Sequence, residues 1–182
     1  FSNLKYEGPI DPTITGSFGN VFKFKGFSVN VFMTYSFGNV VRLDPIFSNS
    51  YSDLTAMPRE FMDRYINPGD EKITNVPVIA SSRQNNSISN LSIAYNAYNY
   101  SDQRIARGDF IRLKEVSFGY DLPKTAVEKL RLKSLSFKLQ GTNLCLLYAD
   151  KRLEGQDPEF LNAGGVAVPM PKQFTLTCKI GF

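Results

Sequence analysis

Residues 174–182 read FTLTCKIGF, and their alternation places Phe174, Leu176, Cys178, Ile180 and Phe182 on one face of a strand and Thr175, Thr177, Lys179 and Gly181 on the other. A strand apolar along one whole face invites aggregation if its edge stays open, so it is expected to be paired and to close the chain naturally. Working outward, four more segments carry the same period. In 13–25 the even positions Ile14, Phe18, Phe22 and Phe24 are apolar. Lys25-Gly26 then turns the chain into 27–41, where Phe27, Val29, Val31, Met33, Tyr35 and Phe37 alternate with Ser28, Asn30, Thr34 and Ser36. In 109–120 Ile111 and Leu113 share one phase while Val116, Phe118 and Tyr120 share the other, which predicts a bulge at Lys114 or Glu115. The stretch 134–146 alternates Leu135, Phe137 and Leu139 with Ser136, Lys138 and Gln140, and 172–182 is the fifth strand.

The connections differ in kind. Two are short: the turn at 25–26, and 121–133, with a helix opened by Pro123. Two are long: 44–108, with a short helix near Met57 to Tyr65 ended by Asn67-Pro68-Gly69, and 148–171. Connections of that length are usually functional. Long alternating with short is the pattern of an antiparallel up-and-down sheet with every long loop at one end. Five strands are too few to close a membrane barrel, the smallest having about eight. Either further sequence completes the sheet or this is a small soluble β domain. The chain starts at Phe1 without an initiator Met or a leader, and the expectation is a C-terminal piece of a longer or processed protein.

Composition narrows the function classes. With 42% hydrophobic and 13% aromatic residues the chain is not of disordered type. It has no apolar run of about 18 residues, so no helix spans a membrane, which leaves spanning strands untouched. A net charge of +4 without a dense basic tract does not point to nucleic acid. The chain has no histidine, and Cys145 and Cys178 lack metal-ligand spacing and read as small apolar side chains. A glycosidase needs two carboxylates about 5–10 Å apart across a cleft, and no motif fixes such a pair. Neither an enzyme nor a cofactor or metal site is expected.

Periodicity leaves two readings of the faces. If the apolar faces meet lipid, Lys23, Lys138 and Lys179 point into a lumen and avoid the roughly 2–4 kcal/mol of a midplane lysine. A soluble β-sandwich, such as a carbohydrate-binding module, shows the same alternation with its apolar face turned inward. Aromatic placement favours lipid: Phe24, Phe27, Tyr120 and Phe182 gather at the short-turn end, and Tyr35, Phe37 and Phe174 at the long-loop end, as two interfacial belts would. Core aromatics at strand ends are the other explanation.

Several stretches, in order, resemble the C-terminal region of SusC/RagA-like, TonB-dependent outer-membrane receptors of Bacteroidota. They are Gly19-Asn20, KGFSVNVFMTYSFGNVV (25–41), DRYINPGDEKITNVP (63–77), GDFIRLKEVSFGYDLP (108–123), LQGTNL (139–144), GQDPE (155–159) and the closing PKQFTLTCKIGF. The resemblance implies an all-β fold: residues 1–182 would be about the last five strands of a transmembrane, plugged barrel of the roughly 22-stranded class. The plug and the remaining barrel strands would lie outside this chain. It further implies import of oligosaccharides or peptides across the outer membrane, with a SusD-like surface lipoprotein as lid and energy from the TonB complex. Loops 44–108 and 148–171 would be extracellular and 121–133 a periplasmic turn.

Within that picture Tyr95, Tyr98 and Tyr100 are ligand or partner candidates, by stacking on sugar rings or packing on the lid, with loop packing as the alternative. Phe174, Leu176, Ile180 and Phe182 resemble the signal read by the barrel assembly machinery, a role compatible with packing against membrane lipid. Glu154, Asp157 and Glu159 read as a solvated acidic loop in preference to a calcium site. Lys124, Lys129, Arg131 and Lys133 read as a solvated basic turn, with lipid headgroups as the alternative partner.

Overall fold

A computed structural model describes residues 4–46, 57–161 and 169–182; the portions of the two long loops at 47–56 and 162–168 lie outside the described residues. Among the described residues the strands are β1 (Ile14–Phe24), β2 (Phe27–Phe37), β3 (Val40–Arg42), β4 (Ile105–Arg107), β5 (Phe110–Asp121), β6 (Ser134–Ala149) and β7 (Gln173–Gly181). The α-helices are α1 (Ser82–Ser87), α2 (Leu91–Asn99), α3 (Lys124–Lys129) and α4 (Pro158–Leu161), with 3-10 turns at Arg59–Asp63, Asp70–Lys72, Asp102–Arg104 and Lys151–Leu153.

β1, β2, β5, β6 and β7 form one antiparallel sheet in that order, and β3 pairs with β4 in a second, two-stranded sheet. The long connections, β2 to β5 and β6 to β7, leave the same end. Register carries the chemistry across the sheet. One row runs Phe22, Val29, Phe118, Leu139 and Leu176, and the next on that face Phe24, Phe27, Tyr120, Phe137 and Cys178; between them, on the opposite face, runs Lys23, Ser28, Gly119, Lys138 and Thr177.

The apolar face is bare. Phe22, Phe118, Leu139 and Leu176 are each at least half exposed, and none of the buried hydrophobics (Val41, Ile46, Ala106, Val127, Leu153) belongs to the five-stranded sheet. A sandwich would bury this face under a second sheet. Here the second sheet is only β3–β4, packed into the loop layer, so the inward-facing alternative fails for the described residues. β1 and β7 pair on one side only, leaving an open antiparallel segment with no closed barrel.

The bulge falls at Lys114. Between Leu113 and Glu115 the β2 partner moves only from Met33 to Phe32, whereas the β6 partner moves from Cys145 to Thr142. Asn143, one of the skipped β6 residues, has φ of +54°, a conformation asparagine tolerates better than most residues.

Three features differ from the sequence reading. The predicted strand over 27–41 breaks after Phe37, because Gly38 adopts φ of +85° and releases Val40–Arg42 to pair with β4. The strand predicted to end at 146 continues to Ala149, and β6 is apolar in both phases there, which hides its end from an alternation argument. The segment 44–108 holds α1, α2 and β4 besides a 3-10 turn where the single short helix was expected.

Candidate ligand-facing site

The polar face of the sheet and the loop layer above it carry the ion pairs. At mid-sheet, Asn30 Nδ2 donates to Glu115 Oε1 at 3.1 Å, and Lys138 Nζ lies 3.9 Å from the same oxygen. Closer to the long loops, the Arg112 guanidinium holds Asp157 through both carboxylate oxygens, with Oδ2 at 2.5 Å, and its Nε lies 3.1 Å from Glu159. Lys114, put there by the bulge, is 3.9 Å from Glu159. Asp157 Oδ1 also accepts the backbone N–H of Glu159 at 3.1 Å, fixing the first turn of α4. Asp157 is therefore a buried anchor, correcting the expectation of a solvated loop. Glu154 lies 3.9 Å from Arg59 on the other long loop.

The two long loops form one layer. Leu153 packs with Val41 and Ala106, flanked by Leu43, Ala149 and Leu161. Asp150 accepts the Arg107 N–H at 2.9 Å, and Arg152 donates to the Gln103 carbonyl. Arg104 is 1% exposed; it pairs with Glu60, donates to the Asp44 carbonyl and lies 5.9 Å from the Tyr98 ring. Burial of that kind is tolerable only because the charge is paired. Arg104 is a structural centre that the sequence reading did not single out.

Between this layer and the leading end of β1 lies a cleft of about 430 Å³. Thr15, Thr34 and Ser36 contribute hydroxyls, Asp11, Lys114 and Glu159 charges, and Phe110 an aromatic ring. The groups suit reversible binding of a polar ligand by hydrogen bonds and ring contact. No group of three or more His, Cys, Asp or Glu residues with metal-binding geometry occurs among the described residues.

Tyr95, Tyr98 and Tyr100 lie on α2 and its C-terminal cap, away from that cleft's lining. Tyr95 donates its hydroxyl to the Val78 carbonyl. Tyr98 is half-buried, which pushes its hydroxyl pKa up. Tyr100 is 68% exposed, with the Arg42 guanidinium 5.4 Å from its ring. Phe174, Leu176, Ile180 and Phe182 are all exposed along β7 and the residue after it. Cys145 and Cys178 are free and exposed.

No family model matches the chain. Two TonB-dependent receptors of Formosa agariphila are similar to it, one 28% identical over 158 residues and the other 27% over 164, covering 85% and 87% of this chain. The chain spans 14% of the length of each. Solved structures of the RagAB peptide importer share the fold. The open-open state has a TM-score of 0.65 and the closed-closed state 0.68, each at 22% identity over 98% of this chain and 18% of that one. The ordered motifs, the bare apolar sheet face and these relatives converge: the chain is similar in sequence to part of TonB-dependent receptors and shares its fold with part of the RagAB structures.

Proposed function

We propose that this chain forms part of the wall and the outer loop layer of an outer-membrane transporter that imports oligosaccharides or peptides with a SusD-like lipoprotein, driven through TonB. One observation carries the reading: the sheet turns a bare apolar face one way and an ion-paired, cleft-bearing polar face the other. In a bilayer the first meets lipid and the second a lumen. The long loops then lie outside the cell and the short turns in the periplasm. The cleft and Tyr100 become contacts for cargo or lid, and transport proceeds by binding and displacement with no bond made or broken. Phe174, Leu176, Ile180 and Phe182 would be read by the assembly machinery before they meet lipid.

Adjacent residues on opposite faces test this. In the receptor containing this chain, Leu139→Lys places a charge on the apolar face and Gln140→Lys on the polar face. The first is expected to cost on the order of 1–2 kcal/mol, between the interfacial and midplane values because Leu139 lies one row in from the aromatic rim, and to reduce the heat-modifiable outer-membrane species, and the second to leave it near normal. Equal tolerance of both would exclude lipid contact at this row.

A further inference from the structure

We infer that the short-turn end of the sheet is a binding surface for anionic phospholipid headgroups, formed by Lys25, Lys124, Lys129, Arg131 and Lys133 beside an exposed aromatic rim. The inference rests on the membrane-facing reading of the apolar sheet face. All five cations are exposed, and none has a carboxylate within ion-pair distance among the described residues. At the long-loop end Arg59, Arg104, Arg107 and Arg112 have acidic partners, while Lys72, Arg83 and Lys151 have no ion-pair partner among the described residues and no lysine–ring contact like that of Lys25 with Phe24.

Geometry holds the cations at the border of the apolar face. The Lys25 ammonium lies 5.3 Å from the centre of the Phe24 ring, itself 70% exposed. Phe27 packs against Tyr120 with centroids 4.4 Å apart and ring planes tilted by 33°, continuing the rim across β1, β2 and β5. α3 buries Val127 and leaves Lys124 and Lys129 outside. The chain then turns through Arg131 at φ of +55°, and the Lys133 N–H donates to the Gly181 carbonyl at 2.8 Å, which ties the basic connection to the end of β7. Glu128 and Asp121 are the only acidic residues in or bordering this connection. Aromatic rings favour headgroup depth and cations the phosphates just beyond it, so the two rows match the cross-section of an anionic leaflet.

The test uses the receptor containing this chain, purified in detergent and titrated with phosphatidylglycerol or phosphatidylethanolamine by native mass spectrometry. Each cation near an anionic surface contributes about fivefold in affinity, so K124Q/K129Q/K133Q is expected to weaken phosphatidylglycerol binding on the order of a hundredfold. Phosphatidylethanolamine binding should be unchanged. K124R/K129R/K133R should bind as the parent does, and so should K72Q/R83Q/K151Q, which removes equal charge from the loop end. Undiminished phosphatidylglycerol binding by the first variant would overturn the inference, as would an equal loss in the loop-end variant. A parent receptor that shows no heat-modifiable membrane form would instead overturn the membrane reading itself.

Discussion

Arg112 on β5 grips Asp157 of the β6–β7 loop through both carboxylate oxygens, and each side chain is only 8% exposed. The pair joins two stretches about 45 residues apart in sequence, FIRLKE and GQDPE, both among those that carry the family resemblance. Removing one partner strands a buried charge, at a cost of about 3–5 kcal/mol to the local structure, whereas an apolar pair of similar volume is far better tolerated. Arg112→Ala should therefore release residues 150–161 to fast hydrogen exchange in the intact protein, and R112M/D157L should restore much of the protection. Unchanged exchange in Arg112→Ala would mean that the pair does not hold the loop.

Leu153 is 1% exposed and packs against Val41 and Ala106, which belong to the other long connection. Leu153→Ala is expected to cost about 2–5 kcal/mol through lost burial and a cavity. Limited proteolysis should then open both loops together, near 40–46 and near 148–161. Cutting confined to the second site would show that the layer is two independent pieces.

Gly108 sits where β4 leaves the loop layer for β5, and a Cβ there would come within 2.2 Å of Asn39 Nδ2. The Gly108 N–H also donates to the Asn39 carbonyl at 2.9 Å, so backbone and side chain are packed at one point. Gly108→Ala is expected to pull β3 from β4 and lower the yield of folded protein. N39A/G108A should recover it, because the obstructing amide is gone. Failure of the double variant to improve on the single one would place the problem in the backbone.

The five sheet strands were legible because each keeps a two-residue period over at least one turn of register, and the phase change between Leu113 and Val116 located the bulge within a residue. The cleft and the Arg112 anchor were not legible, since they depend on residues far apart in the chain, such as Ser36 and Pro158, which both line the cleft. α2 was missed for a different reason. Its Ser and Asn content resembles loop, although Leu91, Tyr95 and Tyr98 recur at helical spacing and are the half-buried positions of the helix. Ser81 and Gln84 likewise form a capping box at α1 that the composition obscured. The ion-pairing of Asp157 could not be read from GQDPE alone, because its partner lies on the sheet.

Asp70 closes the Asn67-Pro68-Gly69 turn, accepting the backbone N–H of Asn67 at 2.8 Å and of Ile66 at 3.0 Å on one carboxylate oxygen. Those two donors, Asn67 first, hold its pKa below the ordinary aspartate value. A depressed folded-state pKa means that the charged form is favoured by the turn. Its stabilisation is fully present above the ordinary value of about 3.9 and is lost as pH falls through the lower, folded-state value. Exchange protection of the Ile66 and Asn67 amides, corrected for intrinsic rate, should thus stay level from neutral pH to about pH 5 and decline only in stronger acid. Asp70→Asn keeps an acceptor without the charge, so it should lower protection at neutral pH and remove the acid step. A step that survives in Asp70→Asn would assign the titration to another carboxylate and sink the role given to Asp70.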